Sequence, residues 1–199
     1  DDATGLPGVV WVHGGPMRQM RDGFHLSRAY GIAYAFHQYL ASKGYASLLV
    51  NYRGGIGYGR EFRGALAEGR GDREIEDVVA AGEHLRGLDH VDPDAFDLGI
   101  NLAGVADLEC YRDWAEETKY SPVESFQTVQ LGGHPWEAPE VWTDASPTSR
   151  MDRYEAPLHS FHGTADRYVN VGQLDAVVDR LLDLDATFEA EYYPGETYV

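Results

Sequence analysis

Cysteine is almost absent from this chain of 199 residues, which contains Cys110 alone. A single cysteine excludes an internal disulfide and a cysteine-rich zinc site, and it favours a cytoplasmic location. Asp107 and Glu109 precede Cys110 closely, and acidic neighbours oppose the thiolate that a cysteine nucleophile needs. No apolar stretch approaches the roughly 18 residues of a membrane span, so we predict no membrane partner.

Lysine is also scarce, because the 16 basic residues include only Lys43 and Lys119, against 33 acidic residues. The net charge of −17 leaves little room for the basic patches that bind phosphate, so we predict no nucleic-acid partner. Abundant Asp and Glu with Arg preferred over Lys is halophile-like, since salt screening weakens self-repulsion. An ordinary acidic soluble protein is the alternative.

Metal-ligand spacing is missing as well. None of the eight histidines belongs to an H-x-x-x-H or H-x-x-E-H pair, so we predict no metal site and no cofactor. The glycine-rich loop from Arg53 to Gly59 lacks a following Gly-Lys-Ser/Thr, which favours a tight backbone path over a phosphate-binding loop. His162 is predicted to be a buried, hydrogen-bonded structural residue.

Apolar runs of strand length alternate with amphipathic segments of helix length along the chain. This alternation predicts a single α/β domain over residues 1–199, with a mostly parallel sheet and helices on both faces. The predicted strands lie at residues 8–13, 46–52, 98–105, 158–161 and 188–193. The predicted helices include residues 32–42, 72–88 and 171–182.

The first predicted strand leads directly into His13-Gly14-Gly15-Pro16. Glycine lets the backbone turn sharply and leaves its N–H groups exposed. Exposed N–H groups at this place are typical of an oxyanion hole, which stabilises the charge of an acyl-transfer intermediate. Gly14 and Gly15 are therefore candidate oxyanion donors, and such a site also needs a nucleophile.

Three further motifs follow His13-Gly14-Gly15-Pro16 in order: NYRGGIGYG at residues 51–59, HGTADRYV at residues 162–169, and YPGE at residues 193–196. Together the four resemble the catalytic domain of the prolyl oligopeptidase family of serine peptidases, in its acylaminoacyl-peptidase and dipeptidyl-peptidase branch. The resemblance covers almost the whole chain and implies an α/β-hydrolase fold that acts on peptide substrates. It also implies that Asp166, at the end of a strand, is the acid of a catalytic triad.

Two parts of the family pattern are missing from this sequence. None of the eight serines lies in a Gly-x-Ser-x-Gly frame, which holds the nucleophile on a strained strand-to-helix turn. Residues 91–93 match one side of the expected block and residues 93–96 the other, so a strand–elbow–helix unit of roughly 20 to 30 residues is predicted to be absent. Tyr198 stands where the catalytic histidine is expected, and a tyrosine keeps its proton at neutral pH. The fold is predicted to be incomplete and without a propeller domain.

Four interpretations stay open. The preferred one is a peptidase-family domain that is inactive as it stands, with peptide hydrolysis confined to an intact parent. The second is that the parent encodes the block and this sequence omits it. The third is a non-catalytic interaction module from a decayed hydrolase, which forms a homodimer through an exposed sheet edge. The fourth is an unrelated α/β-hydrolase of the esterase type.

Overall fold

The computed structural model describes residues 4–15, 17–26, 28–67, 70–118 and 127–197. Backbone contacts divide the chain into two compact units. The first unit contains the chain up to Leu66 together with Asp72–Phe96, and the second contains Ala67–Gly71 and the chain from Asp97 onward. The boundary after Phe96 therefore coincides with one side of the block that the sequence predicts to be absent.

The first unit is built on a two-stranded parallel sheet. β1 (Gly8–Val12) pairs along its whole length with β2 (Ala46–Val50). Three helices accompany this sheet: α1 (Arg28–Ser42), which packs against β2, the short α2 (Arg60–Gly64), and α3 (Arg73–Arg86), which packs against both strands. α1 ends just before Gly44, whose φ of +84° is a left-handed conformation that glycine adopts at little cost.

The chain that enters β1 also pairs on the side away from β2. The N–H of Leu6 donates to the carbonyl oxygen of His90 at 2.9 Å, and the N–H of Asp92 donates to the carbonyl oxygen of Leu6 at 2.8 Å. These bonds make a parallel bridge between Leu6 and Val91. The ladder ends there, because the N–H of Asp94, the next donor in register with β1, donates instead to the side chain of Asp92 at 3.0 Å.

The same edge of β1 is unpaired beyond this bridge within the described residues. The carbonyl oxygen of Pro7 accepts from β2, and backbone groups of successive residues in a strand point to opposite sides. The backbone groups of Gly8, Val10 and Val12 therefore point away from β2. We call this side the open edge of β1.

The second unit is built on a three-stranded parallel sheet in the order β3–β4–β5. Its strands are β3 (Gly99–Leu102), β4 (Leu158–Gly163) and β5 (Phe188–Tyr193). The unit also contains α4 (Leu108–Glu117), α5 (Pro139–Ala145), a 3₁₀ helix (Pro147–Arg153) and α6 (Gly172–Asp183). α6 covers one face of the sheet, where its Val177 and Leu181 pack with Leu158 and Phe188.

A second apolar cluster joins α4 and α5. Trp142 is fully buried there and packs with Leu108 and Leu131. Its indole N–H donates to the carbonyl oxygen of Gly133 at 3.0 Å, so the one polar atom of the side chain is also satisfied.

The prediction of an α/β fold with parallel strands is confirmed. The sequence predicts one mostly parallel sheet, whereas the described strands form a two-stranded sheet and a three-stranded sheet. The bounds of β3 also differ. The sequence predicts a strand over residues 98–105, whereas β3 ends at Leu102. Ala103 has a φ of +47°, and the side-chain oxygen of Asn101 accepts from the N–H of Gly104 at 3.1 Å. This local turn ends the strand although the apolar run continues. No helix within the described residues is long and apolar enough to span a membrane.

Two buried histidines in the first unit are expected to lower its stability in acid. His37 is 3% exposed, neither ring nitrogen has a hydrogen-bond partner among the described residues, and burial lowers its pKa. Burial also lowers the pKa of His13, and the charge of Arg18 adds to that effect. A histidine whose pKa is lower in the folded state than in the unfolded state stabilises the fold above its unfolded pKa, and this stability is lost as the pH falls.

We therefore expect His37→Leu to raise the free energy of unfolding and to reduce its loss between about pH 7.5 and pH 5.5, around the unfolded pKa of histidine. The substitution removes a buried polar ring without a partner, which is a cost of about 1–3 kcal/mol. Urea unfolding at both pH values measures the effect. His84→Leu, at an exposed position of α3, is the control, and an equal change in both variants contradicts the expectation.

Candidate active site

The turn after β1 leaves two backbone N–H groups free. Gly15 has a φ of +116°, which favours glycine. The hydroxyl of Tyr52 donates to the carbonyl oxygen of His13 at 2.5 Å, and that of Tyr30 donates to the carbonyl oxygen of Gly14 at 3.1 Å. The N–H groups of Gly14 and Gly15 donate to no acceptor within the described residues, and both residues are exposed. Pro16 lies outside the described residues.

Asn51 holds the segment that follows this turn. Its side-chain oxygen accepts from the N–H of Met20 at 2.7 Å, and its side-chain nitrogen donates to the carbonyl oxygen of Met20 at 3.0 Å. The N–H of Ile56 donates to the carbonyl oxygen of Arg18 at 3.0 Å. Asn51 and the glycine-rich loop that follows it therefore fix the backbone of residues 18–20 by hydrogen bonds. Sequence reasoning missed this role, and its only signal is a polar amide directly after an apolar strand.

Asp166 lies in the turn after β4, and its carboxylate is fully buried. Oδ1 accepts from the N–H groups of Tyr168 at 2.7 Å and Val169 at 3.1 Å. Oδ2 has no hydrogen-bond partner within the described residues. His162 Nε2 lies 3.6 Å from Oδ2 but is 2.9 Å from the carbonyl oxygen of Val169. Since a carbonyl only accepts, Nε2–H of His162 donates to Val169, and Asp166 Oδ2 lacks a donor.

Residues 193–197 run beside the Asp166 turn. The N–H of Thr164 donates to the carbonyl oxygen of Tyr193 at 3.0 Å, and that of Ala165 donates to the carbonyl oxygen of Glu196 at 2.9 Å. A Cβ at Gly163 would collide with the Glu196 carbonyl group, so this close approach requires glycine. The segment that leads to position 198 therefore lies against the loop of the candidate acid. Tyr198 itself lies outside the described residues.

The other candidate residues do not supply a catalytic group to the turn after β1 or to the turn that contains Asp166. His162 is 2% exposed and its Nε2 is hydrogen-bonded, as predicted for a buried residue. Burial raises the pKa of the Cys110 thiol, and the charges of Asp107 and Asp113 raise it further. Within the described part of the chain, no group of three or more His, Cys, Asp or Glu side chains is placed to hold a metal ion.

Solved structures with the same fold define the class of this protein. A puromycin-hydrolysing peptidase of Mycobacterium tuberculosis covers 100% of this chain with a TM-score of 0.81 at 23% identity, and the match spans 32% of that protein. An acylaminoacyl peptidase of Pyrococcus horikoshii covers 98% with a TM-score of 0.79 at 22% identity, over 33% of its own chain. The fold is that of an α/β-hydrolase.

The chain belongs to the prolyl oligopeptidase family, whose model matches residues 33–95 and 88–198. The match thus falls into two parts that meet at residues 88–95, where the sequence predicts the absent block. Relatives include dipeptidyl aminopeptidase BIII of Pseudoxanthomonas mexicana, 29% identical over 96% of this chain, and the uncharacterized peptidase YuxL of Bacillus subtilis, 27% identical over 98%. This family match disfavours an unrelated esterase.

The chain spans 30% and 31% of the lengths of these two relatives. The matched regions are 216 and 215 residues long, which exceeds the 199 residues of this chain. The relatives therefore carry residues within the matched region that have no counterpart here, as an absent internal block requires.

Proposed function

We propose that this chain is part of a serine peptidase catalytic domain, with Asp166 as the triad acid. The N–H groups of Gly14 and Gly15 are its early-loop oxyanion donors. The sequence offers no serine elbow and has Tyr198 at the histidine position, so the chain is inactive as it stands. The peptidase names of its relatives support a peptide as the substrate of an intact parent, which needs no cofactor. The cysteine-poor composition supports a cytoplasmic location.

The unpartnered Oδ2 of Asp166 carries this proposal. A buried carboxylate oxygen without a donor is a cost that a purely structural aspartate avoids. A triad acid needs one oxygen held by the protein and one free to accept the Nδ1–H of the catalytic imidazole. In Asp166, Oδ1 is held by two backbone N–H groups and Oδ2 is free. Residues 193–197, which lead to the histidine position, lie against the loop that contains Asp166. The free oxygen is therefore the acceptor that the absent histidine would use.

Two substitutions of Asp166 separate this role from a structural one. Asp166→Ala removes the acceptor of two backbone N–H groups and should lower the free energy of unfolding by about 1–3 kcal/mol. Asp166→Asn keeps an oxygen for those N–H groups and removes a buried charge without a donor. Its amide nitrogen would take the Oδ2 position, which faces the Nε2–H donor of His162, so we expect a stability between those of the unmodified chain and the alanine variant. Urea unfolding of all three proteins measures this, and an asparagine variant as unstable as the alanine variant would show that both oxygens are structural.

A non-catalytic interaction module is the second candidate, favoured by the open edge of β1. Unpaired backbone groups at Gly8, Val10 and Val12 are a template for another strand. A second copy would pair there with its own open edge, antiparallel, because a two-fold axis relates the two strands. The homodimer through a sheet edge is therefore our proposal for this alternative.

Val10→Pro tests the edge pairing. The substitution removes an N–H that points away from β2, so the β1–β2 ladder keeps its bonds while strand addition is blocked. We expect sedimentation velocity at about 100 μM, a concentration that populates interfaces of micromolar affinity, to show a dimer that Val10→Pro converts to monomer. Val10→Ala retains the N–H and should stay dimeric. A chain that is monomeric before substitution contradicts the dimer.

A further inference from the structure

Acidic residues are nearly absent from the part of the chain that builds the first sheet. Residues 3–60 contain six of the 16 basic residues but only one of the 33 acidic residues, Asp22. This segment includes β1, the turn after it, α1, β2 and the glycine-rich loop. A chain with a net charge of −17 therefore has a local excess of positive charge around the candidate oxyanion turn. Such an excess attracts an anionic ligand and disfavours a cationic one.

Two tyrosines fix the direction of the free N–H groups in the turn after β1. The Tyr52 hydroxyl donates to the carbonyl oxygen of His13, and the Tyr30 hydroxyl donates to that of Gly14. Each carbonyl belongs to the same planar, trans peptide unit as the next N–H, so the N–H groups of Gly14 and Gly15 point away from these hydroxyls. Both donors are therefore held in place before a ligand binds, which lowers the cost of binding.

The Arg18 side chain lies across Gly15 in this turn. A Cβ at Gly15 would lie 2.8 Å from Cγ and 3.4 Å from Nε of Arg18, so a side chain at this position would displace the arginine. Burial is the main cause that lowers the pKa of His13, and the charge of Arg18 lowers it further, as expected for a guanidinium beside the turn. Among the described residues, the Arg18 guanidinium has no salt bridge and no hydrogen-bond acceptor. This cation is therefore available to a ligand.

Backbone contacts hold Arg18 beside the turn. Its carbonyl oxygen accepts from the N–H of Ile56, and the side chain of Asn51 bonds both backbone groups of Met20. An arginine on a fixed backbone loses less conformational freedom when its guanidinium binds an anion. The planar guanidinium also matches the two oxygens of a carboxylate. The turn thus combines two oriented N–H donors with a positioned cation.

We propose that the turn after β1 binds the free C-terminal carboxylate of a peptide, with the N–H groups of Gly14 and Gly15 and the guanidinium of Arg18 as donors. Capture of a terminal carboxylate by backbone N–H groups is a recurring mode of peptide recognition. Binding needs neither a nucleophile nor a base, so the chain can perform it as it stands. The proposal rests on the proposed function for its oxyanion donors, Gly14 and Gly15, but not for Asp166.

The test uses the whole, isotope-labelled chain and three defined probes. The probes are N-acetyl-trialanine with a free carboxylate, the same peptide with a C-terminal amide, and acetate. Nuclear magnetic resonance follows the amide signals of Gly14 and Gly15, and titration gives the dissociation constant. Arg18→Gln removes the charge at the turn. Arg153→Gln is the matched control, because Arg153 is exposed in the second unit and has no salt bridge among the described residues.

We expect the peptide acid to shift both amide signals and to bind with a dissociation constant of about 1 mM or below at low salt. The peptide amide should bind at least about tenfold more weakly, because it has no charged acceptor. Arg18→Gln should weaken the acid by a similar factor, and Arg153→Gln should leave its affinity unchanged. Acetate should bind more weakly than the peptide acid, whose amide groups add contacts to the exposed backbone of the turn.

The outcomes that contradict the proposal are distinct. Equal binding of the acid and the amide would overturn the carboxylate as the recognised group, and acetate as tight as the peptide acid would overturn the peptide as its source. Shifts that survive Arg18→Gln at full affinity would keep Gly14 and Gly15 as oxyanion donors and overturn the role of Arg18. Absence of shifts at both glycines would contradict this proposal and the oxyanion donors, while leaving the assignment of Asp166 untouched.

Discussion

Hydrolysis of dipeptide anilides and p-nitrophenyl esters by this chain is expected to be undetectable, and Asp166→Ala should leave that result unchanged. Removing the nucleophile or the base of a serine hydrolase each costs about 10⁶ in kcat, and removing both costs little more because they act as a unit. Neither residue is present at its expected position in this sequence. An isolated acid and free N–H groups cannot form an acyl-enzyme.

Comparing the unmodified chain with Asp166→Ala distinguishes hydrolysis by this chain from hydrolysis by a contaminating enzyme. Trace hydrolysis from a contaminating enzyme would be the same in both preparations and would not depend on Asp166. Hydrolysis that rises with the concentration of the unmodified chain and falls in Asp166→Ala would show that another serine and base complete a working site. That result would reject inactivity while supporting Asp166 as the acid.

Trp142→Ala is expected to lower the free energy of unfolding of the second unit by about 3–5 kcal/mol. The side chain is fully buried against Leu108 and Leu131, so truncation loses apolar burial and leaves a cavity. It also removes the donor to the Gly133 carbonyl. Urea unfolding followed by far-ultraviolet circular dichroism measures the change without relying on tryptophan fluorescence.

Trp136→Ala is the matched control, because it makes the same chemical change at a side chain that is 67% exposed. Trp136 stacks on His134 with ring centroids 4.3 Å apart and lies 5.8 Å from the Arg112 guanidinium carbon. Loss of these surface contacts should cost less than about 1 kcal/mol. Equal destabilisation by the two substitutions would contradict the proposed core.

The strands could be read from the sequence because their apolar runs are short and bounded by turns. β5 occupies residues 188–193 as predicted, and β4 delivers Asp166 to the turn at its carboxyl end. β3 was predicted less accurately, because its apolar run continues to Val105. The side chain of Asn101 accepts a hydrogen bond from the backbone N–H of Gly104, and this turn ends the strand. Periodicity does not reveal a side chain that competes for backbone groups.

The details of the candidate site depended on contacts between residues distant in sequence. The clamp between Asn51 and Met20 joins residues 31 positions apart, and no local pattern encodes it. The free Oδ2 of Asp166 likewise depends on His162 directing its proton to Val169. Motif resemblance predicts Asp166 as the acid, and only the structure shows that Oδ2 is its oxygen without a hydrogen-bond partner among the described residues.

The central claim is that this chain keeps an acid and an oxyanion turn of a serine peptidase but no nucleophile. Intact-mass spectrometry of the folded chain after treatment with a fluorophosphonate probe tests it most directly, because the probe reacts with activated serines. We predict no mass increase on the unmodified chain. A stoichiometric adduct on one serine, lost in Asp166→Ala and in urea, would contradict the claim.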